Sequence, residues 1–216
     1  MKMGFNHCFG AFACIDPSDP QAIQQGKNCV DAAKFTRLEH FIWSTMDSDS
    51  SVDHFETLSE INKYLKDSEV PRTSIYPSIT YESAIESLIV KKDGESAELI
   101  LPVDEDVKLP FYSIADTGAW VSILFEHTQI YIDKDVDICS EYVSLKEIGQ
   151  KMKEQFPELK LTQSDTKIND PKSLESKCFE YFATQNQTAG LRDCQSARRM
   201  YPKATDLSKF LKGIKI

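Results

Sequence analysis

The stretch that decides the fold is QQGKNCVDAAKFTRLEHFIWS, residues 24–44. In its first half, Gly26, Val30 and Ala33 recur at intervals of three or four residues, which places them on one face of a helix. In its second half, the run HFIW at residues 40–43 is typical of a parallel strand that is covered on both sides. A helix followed by a buried strand is one αβ unit, so the stretch predicts an α/β fold with a parallel sheet.

The residues just before this stretch predict a strand and the start of the helix. Ala11–Ile15 is a short apolar run that ends at Asp16 and a proline, which suits a buried strand that stops at a restricted turn. Asp19 is a favourable N-cap and Pro20 a favourable first helical residue, because the donor that proline lacks would have no partner there. Gly26 costs about 1 kcal/mol relative to alanine inside a helix, so we expect it to allow a close approach of the helix to the sheet.

A loop, a second helix and a third strand follow. The loop Thr45–Ser51 is rich in Ser and Asp and lies at the carboxyl end of a strand, where open α/β sheets bind ligands. We expect the helix to begin near Asp53, with Asp53 as its cap and Glu56 reaching back. A short strand is expected at Thr73–Tyr76. The apolar stripe of the helix is formed by Phe55, Leu58, Ile61 and Leu65.

The remainder of the chain predicts further strands and helices without an internal repeat. Asp116 is expected to be a carboxylate in the first turn of a helix. Tyr142 and Lys146 match a Tyr-x-x-x-Lys pattern, but Ser144 and Glu147 form a capping box that starts a helix after Tyr142, so the two side chains would not share a helical face. The predictions are a polar turn at 91–95, strands at 97–103, 129–132 and 159–162, helices at 115–126, 144–156 and 171–183, and a tail with a closing helix at 207–211.

The composition argues against several classes of protein. Lys and Arg total 25 against 34 Asp and Glu, and the resulting charge of −9 disfavours binding to a phosphate backbone. The four His and six Cys show no metal-ligand spacing, so we expect no metal site and mostly buried, reduced thiols. The first twelve residues show neither a membrane span nor a signal peptide, so we expect no membrane association and a cytoplasmic or nuclear location.

The stretch 24–44 also resembles the middle of NmrA-like proteins, in which a Gln-Gly-Lys-Asn helix leads to a strand that ends in Ser. These proteins are atypical short-chain dehydrogenases that bind NAD(P) and often act as redox-sensing regulators. Pro77 and Glu82 agree with a further family segment, and the resemblance continues for most of the chain. It implies a partial Rossmann-like parallel sheet with helices on both faces at residues 1–90, and at 91–216 the remainder of the domain with a smaller C-terminal α+β lobe for a substrate or partner.

The resemblance also shows which family features differ in this chain. The family's glycine-rich turn lets a pyrophosphate reach a helix N-terminus, and the eight glycines of this chain are too dispersed to form that turn. If Ala11–Ile15 corresponds to the family's fourth strand, the first three strands are missing and the edge of this strand is exposed. The family's His-Phe-x-x-Lys helix is matched by His54 and Phe55, but Leu58 stands at the lysine position.

The cofactor that the resemblance implies is NADP or NAD, and the missing turn argues against its binding by this chain. The residual pocket that the resemblance leaves consists of Asp16, Ser44, Tyr76, Pro77 and Ser78. Ser44 is interpreted either as a pocket hydroxyl or as a polar residue that closes a strand and satisfies loop donors. We predict no catalytic residue and no metal ligand.

The resulting hypothesis is a non-catalytic regulatory or protein-binding relative of NAD(P)-binding redox sensors, with a role in transcriptional regulation. A bare strand edge invites pairing with another chain, so we expect a protein partner or self-association, and no direct contact with nucleic acid or membrane. Two alternatives stay open. The chain is a fragment of an NAD(P)-dependent NmrA-like or isoflavone-reductase-like oxidoreductase, or it is a small-molecule module that uses the loops after Ser44 and Tyr76.

Overall fold

The structure is a computed structural model that describes residues 4–91, 96–163, 174–189 and 191–214. Its strands and helices form an α/β fold. The predicted α/β fold with a parallel sheet is confirmed. The chain divides into two compact units, of which unit 1 comprises residues 1–77 and 118–138, and unit 2 residues 78–117 and 139–216. Each unit is discontinuous in sequence. The division of the family domain at residue 90 stays a prediction.

The elements are numbered along the chain. A short 3-10 helix, Ile114–Asp116, precedes the fourth α-helix. The other elements are β1 (Gly10–Ala13), α1 (Ala22–Thr36), β2 (His40–Ser44), α2 (Asp53–Lys66), β3 (Arg72–Pro77), β4 (Ile79–Thr80), α3 (Tyr81–Leu88), β5 (Ile89–Lys91), β6 (Ser96–Leu99), β7 (Lys108–Tyr112), α4 (Thr117–Glu126), α5 (Thr128–Tyr131), β8 (Lys134–Ile138), β9 (Glu141–Ser144), α6 (Leu145–Gln155), β10 (Lys160–Gln163), α7 (Leu174–Ala189), α8 (Cys194–Met200) and α9 (Leu207–Gly213).

Unit 1 contains a four-stranded parallel sheet in the order β1-β2-β3-β8. In the register of the first two pairs, Ala11 lies opposite Phe41, and Ile42 opposite Thr73. The first four residues of β2 are buried, as expected of a central parallel strand. Among the described residues, β1 is an edge strand, so the outer backbone groups of β1 have no partner in the sheet.

Helices α1 and α2 of unit 1 pack against each other at Gly26. A Cβ atom added at Gly26 would lie 2.6 Å from Cγ2 of Ile61, which is fully buried on α2. We predicted that Gly26 allows an approach to the sheet, and this is wrong: the close neighbour is the other helix. The core cluster that these elements build consists of Val30, Ala33, Leu38, Phe41, Trp43, Ile61, Leu65 and Val70.

The start of α1 differs from the prediction. The helix begins at Ala22 with Gln21 as the N-cap position, and not at residue 20 with Asp19 as the cap. The Asp19 carboxylate accepts hydrogen bonds from the backbone N–H of Gln21, at 2.7 Å, and from the side chain of Gln25, at 2.9 Å. A carboxylate that binds the N–H two residues later forms a local turn, which delays the helix.

The start of α2 was predicted at the right residue but with the wrong cap. Asp53 is the first helical residue, and the N-cap position is Val52, which has no side chain able to cap. Glu56 accepts a hydrogen bond from the Ser48 hydroxyl at 2.7 Å and therefore ties the preceding loop to the helix. Phe55, Ile61 and Leu65 are buried and Leu58 is partly buried, so the predicted apolar stripe is confirmed.

The strand predicted at 129–132 is wrong. Residues Thr128–Tyr131 form the short helix α5, and the strand β8 begins at Lys134. β8 is the last strand of the sheet, and its Asp135 accepts hydrogen bonds from Arg72 at 2.6 Å and Lys66 at 2.7 Å. Because Arg72 and Lys66 neutralise the charge of Asp135, this charged residue is tolerated in a strand at the edge of the sheet.

Unit 2 contains two three-stranded sheets, in the orders β4-β7-β9 and β10-β6-β5. The capping box predicted at the start of α6 is confirmed. The backbone N–H of Glu147 donates to the Ser144 hydroxyl at 3.2 Å, and the backbone N–H of Ser144 donates to the Glu147 carboxylate at 2.9 Å. Most of the predicted turn 91–95 and the start of the predicted helix 171–183 lie outside the described residues. Within the described part of the chain, no helix has the length and apolar character needed to cross a membrane.

Candidate functional site

The candidate site residues of unit 1 lie at the carboxyl ends of its parallel strands. Asp16 lies in the loop after β1, Ser44 is the last residue of β2, and Tyr76 and Pro77 end β3. Strand polarity thus places these four residues at one edge of the sheet. Ser78, the fifth candidate, belongs to unit 2, where it is buried.

Ser44 lies beside the end of β3. It pairs with Ile75 in the strand register, and the backbone N–H of Thr45 donates to the Ile75 carbonyl at 3.0 Å. The Ser44 side chain is partly buried, and its hydroxyl has no hydrogen-bond partner among the described residues. The Thr45 hydroxyl donates to the carbonyl of Leu58 at 3.1 Å, so Thr45 links the strand to α2 and the Ser44 hydroxyl is available to a ligand.

Tyr76 is held by a polar side chain that the sequence analysis missed. The side-chain amide of Asn62 donates to the Tyr76 hydroxyl at 2.9 Å, and its carbonyl oxygen accepts from the Ser74 hydroxyl at 2.6 Å. Asn62 is 4% exposed. It follows Leu58 by four residues and therefore lies on the apolar stripe of α2, where a polar residue signals a buried hydrogen bond.

The surroundings of Tyr76 keep its phenol protonated. Burial raises the pKa of Tyr76, and the negative charge of Asp135 acts in the same direction, while a hydrogen bond from Lys66 opposes them. A tyrosine that transfers protons near neutral pH needs its pKa lowered toward that pH. The environment of Tyr76 therefore suits a structural role better than acid–base catalysis.

The loop between β1 and α1 is negatively charged. The Asp16 carboxylate accepts from the hydroxyl of Ser18 at 2.7 Å and from its backbone N–H at 2.9 Å. These two bonds lower the pKa of Asp16, and the nearby His54 contributes, so Asp16 stays ionised at neutral pH. Asp19 already accepts from the backbone N–H of Gln21 at the start of α1.

The described glycines do not form a pyrophosphate cradle. Such a cradle needs glycine backbone in the turn between a strand and a helix, where a Cβ atom would block the phosphates. None of the strand–helix turns in the described residues contains a glycine, so the residues present do not fit the pyrophosphate of NAD or NADP. The described glycines lie before β1 (Gly4), within β1 (Gly10), and within α1 (Gly26), α4 (Gly118), α6 (Gly149) and α9 (Gly213).

Two sequence motifs that resemble reductase features have structural roles. Leu58, at the position of the family's lysine, packs against the core cluster, as predicted. The Tyr142 hydroxyl exchanges hydrogen bonds with the backbone N–H and carbonyl of Arg192, both at 2.9 Å. Lys146 instead forms an ion pair with Asp106 at 3.0 Å. The Tyr-x-x-x-Lys pattern thus consists of two residues with separate partners.

The cysteines differ from the expectation of mostly buried, reduced thiols. Cys139 and Cys194 form a disulfide, although 55 residues separate them in the sequence. Cys8 and Cys14 are exposed thiols. The four His and remaining thiols stay dispersed: in the described residues, no group of three or more His, Cys, Asp and Glu side chains is placed to hold a metal ion.

Comparisons with known proteins agree with this fold. NmrA, a negative transcriptional regulator, superposes in its monoclinic form with a TM-score of 0.81 and 18% identity over 99% of this chain and 76% of NmrA. NmrA in complex with NADP gives a TM-score of 0.80 and 17% identity with the same coverage. The NADPH-dependent quinone oxidoreductase QOR2 from Escherichia coli, complexed with NADPH, gives 0.74 and 14% over 98% of this chain and 78% of the oxidoreductase.

At these identities the solved structures show a shared fold, and the family is shown by a second comparison. The model of the NmrA-like family matches residues 2–211, which is nearly the whole sequence. The chain therefore belongs to the NmrA-like family.

Proposed function

We propose that this chain is a non-catalytic regulator that acts by binding another protein and not by transferring a hydride. The observation that carries the proposal is that none of the strand–helix turns in the described residues contains a glycine. A dinucleotide needs a turn in which free N–H groups face the phosphates and no side chain lies beside them.

The residues at the carboxyl edge of the sheet support the non-catalytic part of the proposal. Leu58 replaces the family's lysine and packs in the core, so it supplies neither a proton nor a bond to a ribose. The pKa of Tyr76 is raised, which moves the phenol away from proton transfer near neutral pH. The NmrA relative is a negative transcriptional regulator, and a comparable role here would work through a protein partner, since the net charge of −9 repels nucleic acid.

The edge of β1 is the surface that we propose for the partner. An edge strand has a row of unpaired backbone groups, and an extended segment of a second chain satisfies them by adding a strand. Phe12 on β1 is 38% exposed and the preceding Phe9 is 50% exposed, so an added strand would also cover apolar surface. The segment would come from a second copy of this chain or from another protein.

The cofactor part of the proposal is tested by calorimetric titration of the full chain with NADP, NADPH, NAD and NADH at millimolar concentrations. We expect no saturable heat of binding in the titration. In a separate thermal unfolding measurement with each nucleotide present, we expect no shift of the unfolding midpoint. Saturable binding of any of the four would overturn the non-binding part and favour the oxidoreductase-like alternative. QOR2 from Escherichia coli, which binds NADPH, serves as the positive control.

The partner part is tested separately by sedimentation velocity and by recovery of partners from cell extract. We expect a self-association or a captured protein that Phe12→Lys weakens, because the lysine places a charge beside the strand edge. Phe35→Lys is the matched control, since Phe35 is 65% exposed on α1 and not on β1. A monomer that captures no protein, or equal effects of the two variants, would count against the edge as the binding surface.

A second candidate function is the binding of a small molecule at the carboxyl edge of the sheet. It is favoured by the Ser44 hydroxyl, which lies at this edge without a partner among the described residues. The adjacent Trp43 is a fluorescence probe for this candidate in the cofactor titrations. Quenching that Ser44→Ala abolishes, and that Ser122→Ala on α4 leaves intact, would support it.

A further inference from the structure

The disulfide of unit 2 joins two segments that are distant in the sequence. Cys139 lies between β8 and β9 and is fully buried, whereas Cys194 is the first residue of α8 and is partly exposed. Their Cα atoms are 4.7 Å apart, within the range that a disulfide spans without backbone movement. We propose that Cys139 and Cys194 are a reversible redox pair, whose disulfide fixes residues 191–200 to the turn 139–142 and whose reduction loosens that attachment.

The same two segments are also joined by non-covalent contacts. The Tyr142 hydroxyl bonds to both the N–H and the carbonyl of Arg192, and the Arg198 guanidinium donates to the Ser140 carbonyl at 3.3 Å. These contacts do not depend on the sulfur–sulfur bond. They hold the two thiols near each other after reduction, so the bond can form again.

The surroundings of Cys139 accept the reduced state as well as the oxidised state. The sulfur of Cys139 lies 3.7 Å from the Glu141 carbonyl, which can accept a weak hydrogen bond from a thiol. The Ser140 hydroxyl is buried without a hydrogen-bond partner among the described residues, which is a cost to the folded turn. A covalent bond at the adjacent residue offsets that cost, and we therefore expect the turn to be less ordered when the bond is open.

The disulfide can be opened because Cys194 is partly exposed to an attacking thiolate from solution. Thiol–disulfide exchange requires that one sulfur be reached by the attacking thiolate, and Cys194 is partly exposed. The other half-buried thiols are poor competitors, because burial raises the pKa of Cys29 and raises the pKa of Cys178 to about 11. Those two residues stay protonated at neutral pH, whereas the thiolate is the reactive form.

The oxidant that we name is a small disulfide such as glutathione disulfide. The Cys194 thiolate attacks one sulfur of glutathione disulfide, forms a mixed disulfide and releases one glutathione thiolate, which takes up a proton. Cys139 then loses its proton, its sulfur attacks the Cys194 sulfur, and the second glutathione leaves. Two protein thiols are thereby oxidised and one glutathione disulfide is reduced to two glutathiones. The redox pair requires neither dinucleotide binding nor the edge of β1.

The first test is a redox titration of the folded full chain in mixtures of reduced and oxidised glutathione, followed by acid quenching, alkylation of the denatured chain and mass measurement of the intact chain and its peptides. We expect six labelled thiols at the reducing end and four at the oxidising end, with Cys139 and Cys194 disappearing together. The Cys8→Ser/Cys14→Ser variant, which lacks the exposed thiols of unit 1, should lose the same two labels. Two outcomes would overturn the proposal: labelling of both residues in every mixture, or a pair that excess reduced glutathione leaves unlabelled in the folded chain.

The second test measures hydrogen–deuterium exchange of the backbone amides of α8. Reduction should speed this exchange several-fold, while the amides of β1 and α1 in unit 1 stay unchanged. Cys194→Ser should match the reduced chain under oxidising and reducing conditions alike, and Cys14→Ser should behave like the parent. Equal protection of α8 in both redox states would show that the bond does not control this segment.

Discussion

Ile61 occupies the space that a side chain at Gly26 would need, because three of its carbon atoms lie 2.6 to 2.9 Å from the position of a Cβ at residue 26. Alanine is the better helix former by about 1 kcal/mol. We nevertheless expect Gly26→Ala to destabilise the protein by about 1–3 kcal/mol, because overpacking of a buried contact exceeds that gain. Urea unfolding measures the change.

The control for this prediction is Gly118 on α4, where an added Cβ would have no neighbour within 4 Å. Gly118→Ala should stabilise the protein by about 0.5–1 kcal/mol through helix propensity alone. In addition, Gly26→Ala should cost less in an Ile61→Ala background, since the opposing atoms are then removed. Additive effects of the two substitutions would contradict the contact.

Because His40 is buried, we expect the folded protein to lose stability in weak acid. Its ring nitrogens lie 2.7 Å from the Thr73 hydroxyl and 2.9 Å from the Thr128 hydroxyl, and the residue is fully buried. Burial lowers the pKa of His40 below the ordinary value of 6.5. The unfolded chain therefore binds the proton more tightly, and the contribution of neutral His40 is lost as the pH falls through 6.5 toward the lower folded value.

The measurement for His40 is the urea midpoint between pH 7.5 and 5.5 for the parent and for His40→Gln. The parent should lose more stability than the variant over this interval, because the variant has no imidazole to protonate. His127→Gln is the control, because it removes an exposed histidine of unit 1 and leaves the buried ring of His40 in place, so the loss of stability seen in the parent should remain. Identical curves for parent and His40→Gln would refute the prediction.

We expect the hydrogen bonds of the Glu141 carboxylate to stabilise unit 2. Its carboxylate accepts from the Tyr81 hydroxyl and from the backbone N–H of Leu207, both at 2.6 Å. Tyr81→Phe should cost about 1 kcal/mol, because Leu207 still satisfies the carboxylate. Glu141→Leu should cost more, about 1–3 kcal/mol, because it leaves the buried Tyr81 hydroxyl unpaired. Glu154→Leu, at an exposed position of α6, is the control and should change the unfolding midpoint little.

Because Ser144 caps α6 and Lys146 does not, we expect substitutions at these two positions to change the stability of the protein by different amounts. Ser144→Ala removes the acceptor for the Glu147 N–H and should cost about 1 kcal/mol. Lys146→Ala should leave stability almost unchanged, although Lys146 belongs to the Tyr-x-x-x-Lys pattern, because its ion pair with Asp106 is exposed. Thermal unfolding of both variants distinguishes a cap from a reductase-like motif, and a larger loss for Lys146→Ala would contradict the assignment.

The elements that the sequence predicted well are those with a strong local pattern. The buried run of β2, the apolar stripe of α2 and the Ser144–Glu147 box each depend on residues within one element. The strand β8 could not be predicted in this way. Three of the five residues in Lys134–Ile138 are charged, and its strand conformation depends on Arg72 and Lys66, which lie more than sixty residues earlier.

In the candidate site as well, residues marked by a local pattern were predicted, and residues that depend on long-range contacts were not. Strand ends located Ser44 and Tyr76 at one edge of the sheet, because the polarity of parallel strands fixes where their carboxyl ends lie. Asn62 and the Cys139–Cys194 pair were missed, since both depend on long-range contacts and cysteine connectivity does not follow from spacing.

The discontinuity of unit 1 affects the order in which the nascent chain can fold. β8, the neighbour of β3, is encoded after residues 78–117, which belong to unit 2. As the chain leaves the ribosome, the hydrogen-bonding groups on one side of β3 must wait for about forty intervening residues and α4 to emerge. Translation pauses before residue 138 would therefore prolong the exposure of an open sheet, and chaperones that recognise extended backbone should engage this protein most during that interval.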